Sequence, residues 1–178
     1  MQRSGRFRGP SLAALMAFAR TCLLAAAEAG AGDEKWRSHV QNIQADPAMQ
    51  TALQFASRKL STTRCQEVFA DFQDPAGRTM SNNLETLGET ASSYLALIRF
   101  YDMGEEGPCR KDLLLLAFTA RGSHAVYLCG TRFRARVRQS PGRAAAVLIH
   151  EELHSLGLGE NPPSSAEITD RVIDRCGV

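Results

Sequence analysis

One stretch constrains this chain more than any other: residues 144–160, Ala-Ala-Ala-Val-Leu-Ile-His-Glu-Glu-Leu-His-Ser-Leu-Gly-Leu-Gly-Glu. Its lead-in is rich in strong helix formers. It is also too apolar for an exposed helix, so a buried one is expected. Ser140 followed by Pro141 suits an N-cap and first helical position, which starts the helix between Pro141 and Arg143 and runs it to about Leu156. Residues four apart share one helix face, so His150 and His154 present two imidazoles side by side. The chain has four histidines, and such a match arises by chance in roughly one of a few hundred chains like this.

Two imidazoles one turn apart can hold Zn²⁺ through ring nitrogens at about 2.0–2.1 Å. Glu151 follows the first of them and can take, then return, the proton of a water that such an ion acidifies. Gly157 comes three residues after His154, where a left-handed helix exit is expected. A chain turning back there brings the carboxylate of Glu160 to the same ion. His150, Glu151, His154 and Gly157 together resemble the metzincin pattern His-Glu-x-x-His-x-x-Gly-x-x-(His or Asp) of the zincin metallopeptidases. The chain departs from that pattern at Glu160. Metzincins also carry a Met-turn after the motif, whereas Met1, Met16, Met49, Met80 and Met103 all precede it.

The resemblance implies a zincin-like domain that uses Zn²⁺ and Glu151 to hydrolyse a peptide or protein substrate. The expected ligands are His150, His154 and Glu160. Glu167 competes for the third place, but it also forms a capping box with Ser164. Two other readings stand beside the peptidase. One is a non-proteolytic zincin-like module of the cell envelope, hydrolysing another amide or holding structural zinc closed by Glu167 or Asp170. The other is a binding protein whose motif carries no metal. Tyr94, Tyr101, Tyr127 and His124 are the candidates for steadying a transition state.

The first thirty residues are expected to stand apart from the domain. Arg3, Arg6 and Arg8 precede a mostly apolar run over 11–27, and Ala27-Glu28-Ala29 fits a small-x-small cleavage site. A signal peptide over 1–29 is expected, with cleavage after Ala29 and Ala31 the next choice. The run, broken by Arg20, is too short to span a membrane well. Removing 1–29 takes four arginines from 21 basic residues and Glu28 from 19 acidic ones. The mature net charge is then about −1, which leaves no footprint for nucleic acid. A secreted or periplasmic location follows. The cluster Arg132, Arg134, Arg136 and Arg138 reads as a solvated face, with an anionic substrate or surface as the alternative.

Cys65, Cys109, Cys129 and Cys176 remain after cleavage, an even set that suggests two disulfides. The run 113–120 reads as a strand buried on both faces, and 124–129 as its hairpin partner across a turn at 121–123. In that register Ala120 faces His124 and Cys129 faces Leu115, six residues from Cys109. That offset is roughly 20 Å, beyond the reach of a disulfide. Two pairings then stay open, Cys65–Cys109 with Cys129–Cys176 and Cys65–Cys129 with Cys109–Cys176, and the first is the one expected here.

Elsewhere, Asp46-Pro47 opens a helix with Met49, Leu53, Ala56 and Leu60 on one stripe. Thr63 and Gln66 suggest a cap for a second helix carrying Cys65, Val68, Phe69 and Phe72. Asp74-Pro75-Ala76-Gly77 reads as a turn and Ser81-Asn82-Asn83 as a polar break. Residues 94–101 lean to a strand, 103–108 to a loop, and 133–137 to an edge strand or a short helix. Ser164 opens a last helix carrying Ile168, Val172 and Cys176. The expected fold is one α+β domain over 30–178, with an antiparallel sheet of about three strands packed on the metal helix. In zincins an edge strand upstream of that helix binds extended substrate, and the hairpin at 113–129 occupies the corresponding place.

Overall fold

A computed structural model of the chain describes residues 41–178; the expected signal peptide and the segment around Trp36 lie outside the described residues. Strand β1 (Gln41–Asn42) leads into helix α1 (Pro47–Leu60), then short helices α2 (Thr63–Gln66) and α3 (Val68–Asp71). Helices α4 (Met80–Leu87) and α5 (Ala91–Leu97) precede strand β2 (Arg99–Asp102). After α6 (Gly107–Lys111) come strands β3 (Ala117–Thr119) and β4 (Ala125–Leu128), and then α7 (Gly130–Gln139), α8 (Pro141–Ser155) and α9 (Ser165–Cys176).

Local chemistry sets most helix starts. Asp46 Oδ1 accepts from Ala48 N at 2.9 Å and Met49 N at 3.3 Å, with Pro47 at the first position. Such a cap contributes about 1 kcal/mol. Thr90 with Ser93, and Ser164 with Glu167, form reciprocal capping boxes at α5 and α9. The second helix is capped by Thr62 rather than Thr63, because it is Thr62 Oγ1 that receives Cys65 N. Ser81-Asn82-Asn83 is not a break: Thr79 caps that turn, and the three residues lie within α4.

Helix α8 is the centre of the core. Residues 144–156 are buried apart from half-buried Val147. Helices α1, α7 and α9 pack around it, and β3 lies against its remaining side. Its Ser140 cap receives Arg143 N at 3.3 Å, as the sequence leads one to expect. Met49, Ala52, Ala56 and Leu60 of α1, and Ile168, Val172 and Cys176 of α9, belong to the same core. Each fully buried large apolar side chain there stabilises by roughly 1.5–3 kcal/mol.

The sheet departs from expectation. Among the described residues it has four strands in the order β1-β2-β4-β3 and is mixed: β2 runs parallel to β4, while β1 and β3 pair antiparallel at its edges. The expected strand over 94–101 is split, since the Thr90 capping box carries α5 to Leu97 before the chain extends at Ile98. The stretch 133–137 is helical, within α7. The run 113–120 is not buried on both faces. Leu113 and Leu114 are 73% and 90% exposed, and β3 is limited to three residues. Before it, 103–108 is not all loop: α6 starts at Gly107 and is followed at its C-cap by Asp112, whose Oδ1 accepts Leu114 N at 2.8 Å to hold a bend.

That bend also overturns the disulfide pairing. The bonds are Cys65–Cys176 and Cys109–Cys129, with Cα separations of 4.2 and 5.4 Å. The 20 Å argument assumed extended chain from Cys109 to β3. In fact α6 and the bend fold Cys109 back against the end of β4. The hairpin register is also one residue off, with Cys129 N donating to Leu116 O at 2.9 Å. Arg132 fastens the folded-back segment, reaching Glu105 at 3.1 Å and the carbonyls of Cys109 and Asp112. Arg134 spans Asp46 and Asp102, each at 2.8 Å. Half of the arginine cluster is thus bracing rather than solvated face.

Candidate metal centre

The two histidines lie on one face of α8, ring centroids 4.8 Å apart, both rings buried. The helix then ends sharply. Gly157 takes φ 114°, a conformation that disfavours any side chain, and Gly157 N and Leu158 N donate to the carbonyls of His154 and Leu153 at 3.0 Å. Asn83 Nδ2 closes the same end by donating to Leu156 O at 3.0 Å. The reversal carries Glu160 back over the histidines. Its Oε1 stands 3.2 Å from His154 Nε2 and 3.7 Å from His150 Nε2, and the two Nε2 atoms are 3.0 Å apart.

Each ring is held by its other nitrogen. His154 Nδ1 donates to Leu158 O at 2.9 Å, and His150 Nδ1 meets Thr169 Oγ1 of α9 at 2.9 Å. Bonds at Nδ1 leave the Nε2 lone pairs for a metal and fix the ring planes, as outer partners do in metal sites. Burial, with the neighbouring His154 ring, pushes the His150 imidazole down to about 3, so it is neutral at ordinary pH.

This donor set fits a zinc-type ion. Two imidazole nitrogens and a carboxylate oxygen are its common ligands, and donors at about 2.05 Å in a tetrahedron stand about 3.3 Å apart. The separations of 3.0, 3.2 and 3.7 Å bracket that value. Among the described residues, His150, His154 and Glu160 are the set whose ligand atoms converge in this way, within 4.8 Å of one another.

Glu151 and Glu152 sit side by side in sequence but on different sides of α8. Glu151 is 5% exposed, lines the same pocket as the histidines, and has one carboxylate oxygen without a hydrogen-bond partner. Burial first, and Glu160 second, raise its carboxyl to about 8. Glu152 is wholly buried with neither oxygen partnered, and burial holds it well above the carboxylate range.

The pocket has a volume of about 570 Å³. Helix α8 and the exit loop form one wall. Leu115, Ala117, Phe118 and Thr119, leading into and along β3, form the other. The remaining expected residues lie elsewhere. Glu167 Oε2 is taken up at the α9 cap by Ser164 N and Oγ at 2.8 and 2.7 Å. Asp170 is exposed and outside the converging set. Tyr94 is buried with its hydroxyl on Ser155, and His124 packs edge-on against it. Tyr101 and Tyr127 stack on each other. None of these four lines the pocket.

Two residues near the site escaped the sequence reading. Thr169, which orients His150, carried no signal beyond its place in the last helix. Arg121 lines the pocket, although Arg121-Gly122-Ser123 read simply as a turn. Comparison of the chain with protein-family models, with curated proteins and with solved structures finds no match.

Proposed function

We propose that the chain is an exported zinc hydrolase, most simply a metallopeptidase. The observation that carries this reading is the convergence of His150, His154 and Glu160 on one point, with the unpartnered carboxylate of Glu151 in the same pocket. Zinc, when bound, would polarise a scissile carbonyl and acidify a water. The chain's own residues do the rest. Thr169 and Leu158 O keep the two imidazoles aimed. Glu151 takes a proton from the attacking water and returns it to the leaving nitrogen, and its place in the pocket beside the two histidines suits it to both transfers. The outer edge of β3, free of a neighbouring strand among the described residues, borders the pocket and offers backbone groups to an extended peptide. Leu115, Phe118 and Leu158 supply apolar contact beside it.

A closed structural site is the weaker reading, because Glu167 is engaged at its cap and the pocket is open to a substrate. Two disulfides fit an oxidising extracellular or periplasmic compartment. No described helix is long and apolar enough to cross a membrane.

The test is Glu151→Gln. The variant should bind zinc like the wild type and lose peptide or casein hydrolysis by about 10²–10⁴-fold, the usual contribution of a general base. Full activity in the variant would remove Glu151 from the mechanism. Zinc-loaded wild type that cleaves no peptide but does cleave another amide would move the reading to the non-proteolytic module.

A further inference from the structure

We propose that Arg121 is the specificity residue of this site and holds a carboxylate of the substrate beside the reacting amide, so that the preferred substrates are acidic peptides. The inference rests on the metal-hydrolase reading and adds the chemical class of its substrate.

Arg121 is exposed, lines the metal pocket, and among the described residues has no carboxylate within 4 Å and no hydrogen-bond acceptor. Arg132 and Arg134, by contrast, are taken up by acidic groups. A guanidinium presents a planar fork of N–H groups that matches a carboxylate in bidentate fashion.

The position of Arg121 is set by the metal helix itself. The turn that carries it is fastened to the end of α8: Gly122 N donates to His154 O at 2.9 Å, and Ser155 Oγ donates to Ser123 O at 2.7 Å. The root of Arg121 therefore moves with the residue that supplies a metal ligand. Its tip lies over Gly159, where an added Cβ would stand 3.4 Å from Nη1. Gly159 precedes Glu160, so the guanidinium lies over the exit loop that carries the third ligand, and the missing side chain leaves it room. A substrate whose carbonyl lies at the ion can place a neighbouring carboxylate at this fork.

Zinc-loaded full-length chain is titrated with two hydroxamates by calorimetry. Acetohydroxamate binds a metal and nothing else, whereas succinic monohydroxamate adds a carboxylate. The wild type should prefer the second by about 10- to 100-fold, the range of a charge-assisted hydrogen bond. Arg121→Ala should abolish that preference, and Arg121→Lys, which keeps the charge but not the fork, should retain part of it. In the matching kinetic arm, Arg121→Ala should lower kcat/KM for peptides with Asp beside the scissile bond far more than for their Asn counterparts. A preference that survives in Arg121→Ala overturns the proposal. So does an equal loss on both probes or both peptides, which would make Arg121 an oxyanion or packing residue. If neither hydroxamate binds the zinc-loaded wild type, the metal reading itself falls and takes this one with it.

Discussion

The two disulfides tie regions of different character. Cys65–Cys176 joins α2 to the end of α9, helical segments that apolar stripes in the sequence foretell, although α2 is capped by Thr62 and not by the expected Thr63. Cys109–Cys129 joins α6 to the end of β4, where the chain folds back on itself and pairs in parallel with a strand a whole crossover away. The helical side carries the candidate metal ligands His150, His154 and Glu160. The sheet side carries the opposite wall of the pocket, including Leu115, Phe118 and Arg121. The difference teaches that ligand placement here is a local property of one helix and its exit, while substrate fit depends on long-range pairing.

Removing the bonds separately gives the largest expected effects and sharpens that contrast. Closing a loop of 111 residues restricts the unfolded chain by about 5 kcal/mol, and one of 20 residues by about 3 kcal/mol. The double variant Cys65→Ala/Cys176→Ala should therefore lose the more stability in urea unfolding. Cys109→Ala/Cys129→Ala should lose less stability and keep zinc affinity, but raise KM as the wall around Asp112 and Leu115 loosens. Equal zinc loss in both variants would break the division between the two regions.

The same contrast explains what the sequence disclosed. A helix cap needs residues three apart, and a metal pair needs residues four apart, so Asp46, Ser140, Ser164 and the His150–Glu160 segment could be read directly. A sheet needs partners far apart in sequence. Nothing in 94–101 marks Arg99–Asp102 as pairing in parallel with Ala125–Leu128, and nothing in the leucine run marks Leu113 and Leu114 as exposed. The Asp112 bend was hidden because an apolar run reads as a strand whenever no glycine or proline interrupts it. Arg121 was hidden for a related reason: its role depends on a turn docking onto α8, a contact without any local signature.

A smaller effect separates two glutamates. Glu160 faces the histidines, whereas Glu167 closes the α9 cap. Glu160→Ala should weaken zinc binding by at least about tenfold in competition with a chelator. Glu167→Ala should leave zinc affinity alone and cost about 0.5–2 kcal/mol of stability. The reverse result would move the third ligand onto α9 and end the likeness of the exit loop to the metzincin pattern.

The smallest expected effect lies where the helical side supports the exit from α8. Asp74 accepts Ala76 N and Arg78 N through Oδ1, and meets the Arg78 guanidinium and Asn83 Nδ2 through Oδ2. Asn83 in turn donates to Leu156 O, so the carboxylate steadies the amide that closes α8 before Gly157. These bonds, the backbone N–H of Arg78 foremost, lower the Asp74 carboxyl from 3.8 to about 2. A carboxyl lowered by folding stabilises the folded chain fully above its unfolded value and loses that contribution as pH falls through its folded one. The contribution of Asp74 should therefore be intact above pH 4 and fade between about pH 3.8 and pH 2. Arg78 is exposed, so its share is screened by salt and the effect stays modest. Urea midpoints of wild type and Asp74→Asn, compared at pH 6, 4, 3 and 2, measure it. Their difference should be constant down to pH 4 and then shrink. A difference that stays constant to pH 2 would mean that Asp74 steadies the α8 exit by shape alone and not as a carboxylate.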